Sequence, residues 1–141
     1  MDVRVIFPAD SQHSSDWLKR KEKVAIQVKA VKSFAASKIQ DEMQDQNHTP
    51  MLQSLADHGA YLIVSTKSST ADKSLKANLK AMKDALAALS ISNVETGFYD
   101  ARRVADWVNE HPAVFVWVKK VLGQPISGWK PYGAWAYHEL L

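Results

Sequence analysis

Cysteine is absent from the 141 residues, so the chain has no disulfide framework, no thiolate metal ligand and no thiol nucleophile. A reducing compartment suits such a chain, and a cytoplasmic location is the expectation. Long apolar runs are absent too: no segment approaches the roughly eighteen residues a membrane span needs. The opening "MDVRVIFPAD" lacks the basic stretch and apolar run of a secretion signal. Neither a G-x-S-x-G elbow nor a glycine-rich phosphate loop occurs, which leaves serine hydrolases and nucleotide-binding folds without support. The five histidines, His13, His48, His58, His111 and His138, stand at no metal-ligand spacing, and each is expected at a helix end or in solvent.

Glycine and proline are sparse, five of each, and no repeat, low-complexity tract or linker interrupts the chain. With 46% hydrophobic residues and five tryptophans as core material, a single domain over 1–141 is expected. Eighteen Lys and Arg against fifteen Asp and Glu give a net charge of +3, a mild basic excess that permits polyanion binding. The basic residues cluster. "LKRKEK" (Lys19, Arg20, Lys21, Lys23) and the series Lys73, Lys76, Lys80, Lys83 hold eight of the eighteen.

Periodicity divides the chain into strands and helices. "DVRVIF" alternates and stops at Pro8, a half-buried strand. A long polar connection leads to "KVAIQVKA", where Val24, Ile26, Val28 and Ala30 would face one way and Ala25, Gln27 and Lys29 the other. "VKSFAASKIQDEMQ" reads as a helix with Ser33 as N-cap and Phe34, Ile39 and Met43 on one stripe. A short helix follows, with Thr49 as N-cap, Pro50 at its first position and Gly59 just past its end. "AYLIVST" is nearly continuous apolar chain, the pattern of a strand covered on both faces. In "DKSLKANLKAMKDALAAL" Leu75, Leu79, Met82, Leu86 and Leu89 recur at helical spacing. "NVETGFY" is another strand, so strand, helix and strand imply a right-handed parallel crossover. "DARRVADWVNEH" is a helix with Asp100 as N-cap and Val104, Trp107 and Val108 on one face. "HPAVFVWVKKVLG" alternates like a strand at Val114, Val116 and Val118, but Pro112 and Gly123 punctuate it as a helix. The fold class expected is α/β: a mixed sheet begun by an antiparallel pair, continued by parallel crossover strands and flanked by helices.

Setting the first two strands antiparallel, with Val3, Val5 and Phe7 on the face of Val24, Ile26 and Val28, sends Asp2 and Arg4 to the face of Gln27 and Lys29. One carboxylate, one amide and one ammonium then share an end of the ribbon. An ordinary solvated face would show the same pattern and carry no chemistry.

An Asp on one strand and "QVK" (Gln27, Val28, Lys29) on the next, followed by helix, strand, helix, strand, resembles the restriction-endonuclease-like nucleases of the PD-(D/E)xK class, in the variant with Gln in the acidic position. "GAYLIVST" and the stretch from "FYDARRVADWVNEHP" to "GWKPYGAW" are similar to the nuclease-like domain at the N-terminus of larger bacterial defence-type proteins. The resemblance covers most of the chain and implies a metal-dependent DNA endonuclease that hydrolyses phosphodiester bonds, with phage defence as its setting. It implies that Asp2 and Gln27 hold Mg²⁺ or Mn²⁺ and that Lys29 orients water or stabilises the transition state. Gln brings no charge, so the metal would be held less strongly than by Glu. The family places a helix and a first strand ahead of this Asp, and they are not in the sequence; a partner or a second copy of the chain would then supply them. The alternative is a non-catalytic nuclease-like module that binds nucleic acid or a protein.

Lys73, Lys76, Lys80 and Lys83 fall in one helical stripe along which DNA phosphates could lie, as could the backbone against Lys19, Arg20 and Lys21. Charge runs of this kind are more often solvated faces, and that is the simpler account of both clusters. Trp129, Tyr132, Trp135 and Tyr137 could stack on bases, though aromatics this dense more often close a core or an interface.

Overall fold

A computed structural model describes residues 2–6, 21–32, 34–124 and 126–128, with the backbone alone for 2–5. The connection containing Phe7, Lys19 and Arg20, the position of Ser33, and the aromatic tail with Trp129, Tyr132, Trp135 and Tyr137 lie outside the described residues. The chain forms two compact units, residues 1–102 and 103–141.

The first unit is a mixed α/β structure. Four strands, β1 (Asp2–Ile6), β2 (Lys23–Val28), β3 (Ala60–Ser65) and β4 (Glu95–Asp100), lie side by side in chain order. β2, β3 and β4 are parallel, with Gln27 beside Ile63 and Ile63 beside Phe98. β1 runs antiparallel to β2, placing Asp2 opposite Gln27 and Val5 opposite Val24. Helices α1 (Ala36–Met43), α2 (Thr49–Gln53) and α3 (Asp72–Ala88) fill the crossovers. Every residue of β3 is buried, as a continuous apolar run between two covered faces demands.

Residues paired in register share a face, and the two faces are unequal. Ala25, Tyr61, Ile63 and Phe98 join Phe34, Ile39, Met43, Leu52, Met82 and Leu86 in the main core. The opposite face holds a small cluster of Val24, Ala60 and Leu62, with Ile26 and Tyr99 partly buried against it. This corrects the reading of β2 from its alternation. Val24 is buried, but Val28 is 39% exposed, whereas Gln27, on the supposedly polar side, is 1% exposed. Alternation reports that a strand has two faces; which face meets the thicker layer depends on where the crossover helices pack.

Helix ends follow local chemistry, with two shifts. α1 starts at Ala36 with Ala35 before it, two residues later than the periodicity suggested. Thr49 is the first residue of α2 rather than its cap, with Pro50 next. Gly59 has a steric reason: its N–H donates to the Leu55 carbonyl at 2.9 Å, and an added Cβ would sit 2.5 Å from that same oxygen. Ser90 and Asn93, both left-handed at φ 55° and 58°, carry the chain from α3 to β4.

The second unit contains most of α4 (Ala101–Glu110) and α5 (Pro112–Val121). The alternating valines of α5 are helical, opened by Pro112 and closed by Gly123 at φ 70°. His111 donates from Nδ1 to the Trp107 carbonyl at 2.7 Å, and their rings lie 4.6 Å apart. Among the described residues no helix is long and apolar enough to cross a membrane.

Candidate functional site

The polar residues of β2 stand at the centre of a side-chain cluster built by three elements and the loop after α1. Gln27 leaves β2 toward the helices because it shares the face of Ala25, Tyr61 and Ile63. Its amide is nearly saturated. Tyr61, from β3, donates its hydroxyl to Gln27 Oε1 at 2.6 Å. Gln27 Nε2 donates to Glu42 Oε2 at 3.2 Å and lies 3.3 Å from His48 Nε2. A buried amide lacking such partners would cost about 1–3 kcal/mol, so this network is what allows Gln27 to stay inside.

Lys29 follows the last residue of β2 and is tied to the sheet by its N–H to the Val64 carbonyl at 2.8 Å. Its ammonium meets Glu42 Oε2 at 2.5 Å and stands 5.7 Å from the centre of the Phe34 ring. The pair is partly covered, with side-chain exposures of 22% for Lys29 and 33% for Glu42. A charge-assisted contact of this length in a partly dry setting is stronger than an exposed ion pair. One carboxylate oxygen therefore serves both the neutral amide and the ammonium.

Gln27 and Lys29 thus come together through Glu42. Asp2 stands opposite Gln27 in the β1–β2 register, on the same face of the sheet; its side chain lies outside the described residues. Glu42, His48 and Tyr61 were not legible as site residues. Glu42 follows Ile39 at i+3 on the inner side of α1, but nothing local shows that α1 crosses the end of β2. Tyr61 sits in an apolar run and reads as core. His48 stands at the N-cap of α2, one of the helix-end positions expected for the histidines, and is half-buried against Gln27.

The oxygen atoms gathered here are the Glu42 carboxylate and the Gln27 amide oxygen. Such donors suit a hard divalent cation such as Mg²⁺. Among the described residues, no group of three or more His, Asp or Glu side chains converges.

The remaining candidate residues are scattered. Lys21 faces Glu95 at 3.6 Å. Lys73, Lys76, Lys80 and Lys83 are all exposed along α3, where Lys80 pairs with Asp84 at 2.5 Å one turn on. No family model matches the chain, and no match to it was found among curated proteins or solved structures.

Proposed function

We propose that the protein is a metal-dependent DNA endonuclease of the restriction-endonuclease-like PD-(D/E)xK class. The observation that carries this reading is the placement of Gln27 and Lys29 beside the β-register position of Asp2, with the Glu42 carboxylate touching both. In this reading Asp2 and Gln27 hold Mg²⁺ or Mn²⁺, and Glu42 supplies the negative charge that Gln in place of an acidic residue leaves out. A divalent cation held there would supply Lewis-acid polarisation of the phosphodiester and a more acidic bound water. Lys29, paired with Glu42 at the end of β2, would place its charge against the phosphate. The exposed α3 lysines, with Lys19, Arg20 and Lys21, lie along the DNA backbone, and phage defence is the setting the resemblance suggests.

A second reading has its own support: Gln27, Glu42 and Lys29 already satisfy one another, which suits a non-catalytic module whose polar knot only orders α1 on the sheet. Incubation with supercoiled and linear DNA in Mg²⁺ or Mn²⁺ separates the two. The nuclease reading expects metal-dependent nicking, blocked by EDTA and lost in Lys29→Ala with the thermal unfolding of the protein still cooperative. No cleavage with either metal, or cleavage indifferent to Lys29→Ala, leaves the binding module.

A further inference from the structure

On the same side of the sheet as the main core, a cleft of about 280 Å³ opens between the start of α1 and the first two turns of α3. Phe34, Ala35 and Ala36 form one wall, the β3–α3 loop residues Ser68 and Ser69 a second, and Ser74, Ala77 and Asn78 a third. Gln27 and Lys29 do not line it.

Two independent features of this cleft ask for an acceptor. The first is the α1 N-terminus: no side chain caps it, and Ala35 and Ala36, the residues that begin it, are in the wall. The first intrahelical bond runs from Ile39 N–H to the Ala35 carbonyl, which leaves the N–H groups of residues 36–38 to solvent or to a ligand, at the positive end of the helix. The second is Asn78, which is 4% exposed and lines the cleft. No hydrogen bond to its side-chain amide is made by the described residues, and the amide is not among their fully buried unpartnered atoms, so it meets the solvent or a ligand of the cleft. Ser68, by contrast, is committed to Ser65 Oγ at 2.7 Å and the Phe34 carbonyl at 3.1 Å.

We propose that this cleft binds a phosphate group, held between the first-turn N–H groups of α1 and the Asn78 side-chain amide, with the Ser69 and Ser74 hydroxyls as further donors. An oxyanion is the ligand that answers both features, since backbone N–H groups and an amide NH₂ are all donors. The cavity is larger than a lone carboxylate needs. Exposed Lys38, Lys67 and Lys73 lie in the first turn of α1, the β3–α3 loop and the first turn of α3, the segments whose other residues form the cleft walls. Asp72 in the first turn of α3 is exposed and is not among the residues of the cleft wall. The site needs no metal and stands whether or not the chain cuts DNA.

The test is an amide NMR titration of the whole chain with sodium phosphate at constant ionic strength, with sodium chloride and sodium acetate as parallel arms and a 5′-mononucleotide as a fourth. Saturable shifts at Ala36, Ser37, Ser69, Ser74 and the Asn78 NH₂ are expected with phosphate and with the mononucleotide. Asn78→Leu, which keeps bulk and removes the amide, should weaken phosphate binding at least tenfold while the rest of the spectrum is retained. Asn78→Asp, which sets a carboxylate against the anion, should weaken it as well. Shifts that do not saturate, that chloride reproduces, or that survive Asn78→Leu unchanged overturn the site. Acetate binding as tightly as phosphate overturns the ligand class in favour of a carboxylate.

Discussion

Gln27 carries more of the interior than its polarity suggests. Its amide uses Tyr61 as donor and Glu42 as acceptor, and each bond leaves a buried polar group stranded if one partner is removed. Tyr61→Phe is expected to cost about 1–3 kcal/mol of stability. Gln27→Leu with Tyr61→Phe should cost clearly less than the sum of the single changes, because the pair then leaves nothing unpaired between them. Urea unfolding of the four proteins reads this coupling, and additive effects would mean that the Tyr61–Gln27 bond contributes little. The identity of Gln27 as a residue of interest was legible from "QVK" beside an Asp-bearing strand. Its partners were not, because Glu42, His48 and Tyr61 lie 15, 21 and 34 residues away and no local period connects them.

At the scale of the element, α3 shows how one helix keeps two stripes apart. Met82 and Leu86 are buried in the main core with Ala81 and Ala85, while Leu75, Leu79 and Leu89 pack partly against it. The lysine stripe stays in water. Met82→Ala should therefore cost about 2–5 kcal/mol, the usual penalty for an emptied core site. Lys80→Ala removes only the exposed i,i+4 pair with Asp84 and should change stability by about 0.5 kcal/mol or less. Thermal unfolding of both variants checks the contrast, and a large effect at Lys80 would place that side chain in a role its exposure does not reveal. The leucine spacing was enough to identify this helix within a residue at each end. α1 was less legible, because Phe34 is apolar and in phase but packs into the core before the helix begins.

For the whole molecule, the remaining question is where a polyanion would lie. Each B-DNA phosphate that a protein neutralises adds roughly 0.9 to the steepness with which log K falls against log salt. If α3 tracks the DNA backbone, replacing Lys73, Lys76 and Lys83 by Ala should reduce that steepness by roughly 3 and weaken binding evenly across sequences. Fluorescence anisotropy with a duplex at several salt concentrations measures both. An unchanged slope would make the stripe an ordinary solvated face. By itself the sequence determined that the chain is α/β, because period-2 and period-3.6 segments alternate along it and a strand followed by a helix returns in parallel. It determined that β3 is covered on both faces, because only such a strand can be apolar throughout. Which face of β2 is the inside was decided by tertiary structure, since α1, α2 and α3 all stack on the Ala25–Gln27 side and leave Val28 exposed. The carboxylate beside Lys29 was decided there too. Glu42 reaches it only because the crossover folds α1 back over the end of its own strand, and a distance of that kind is set by packing rather than by spacing along the chain.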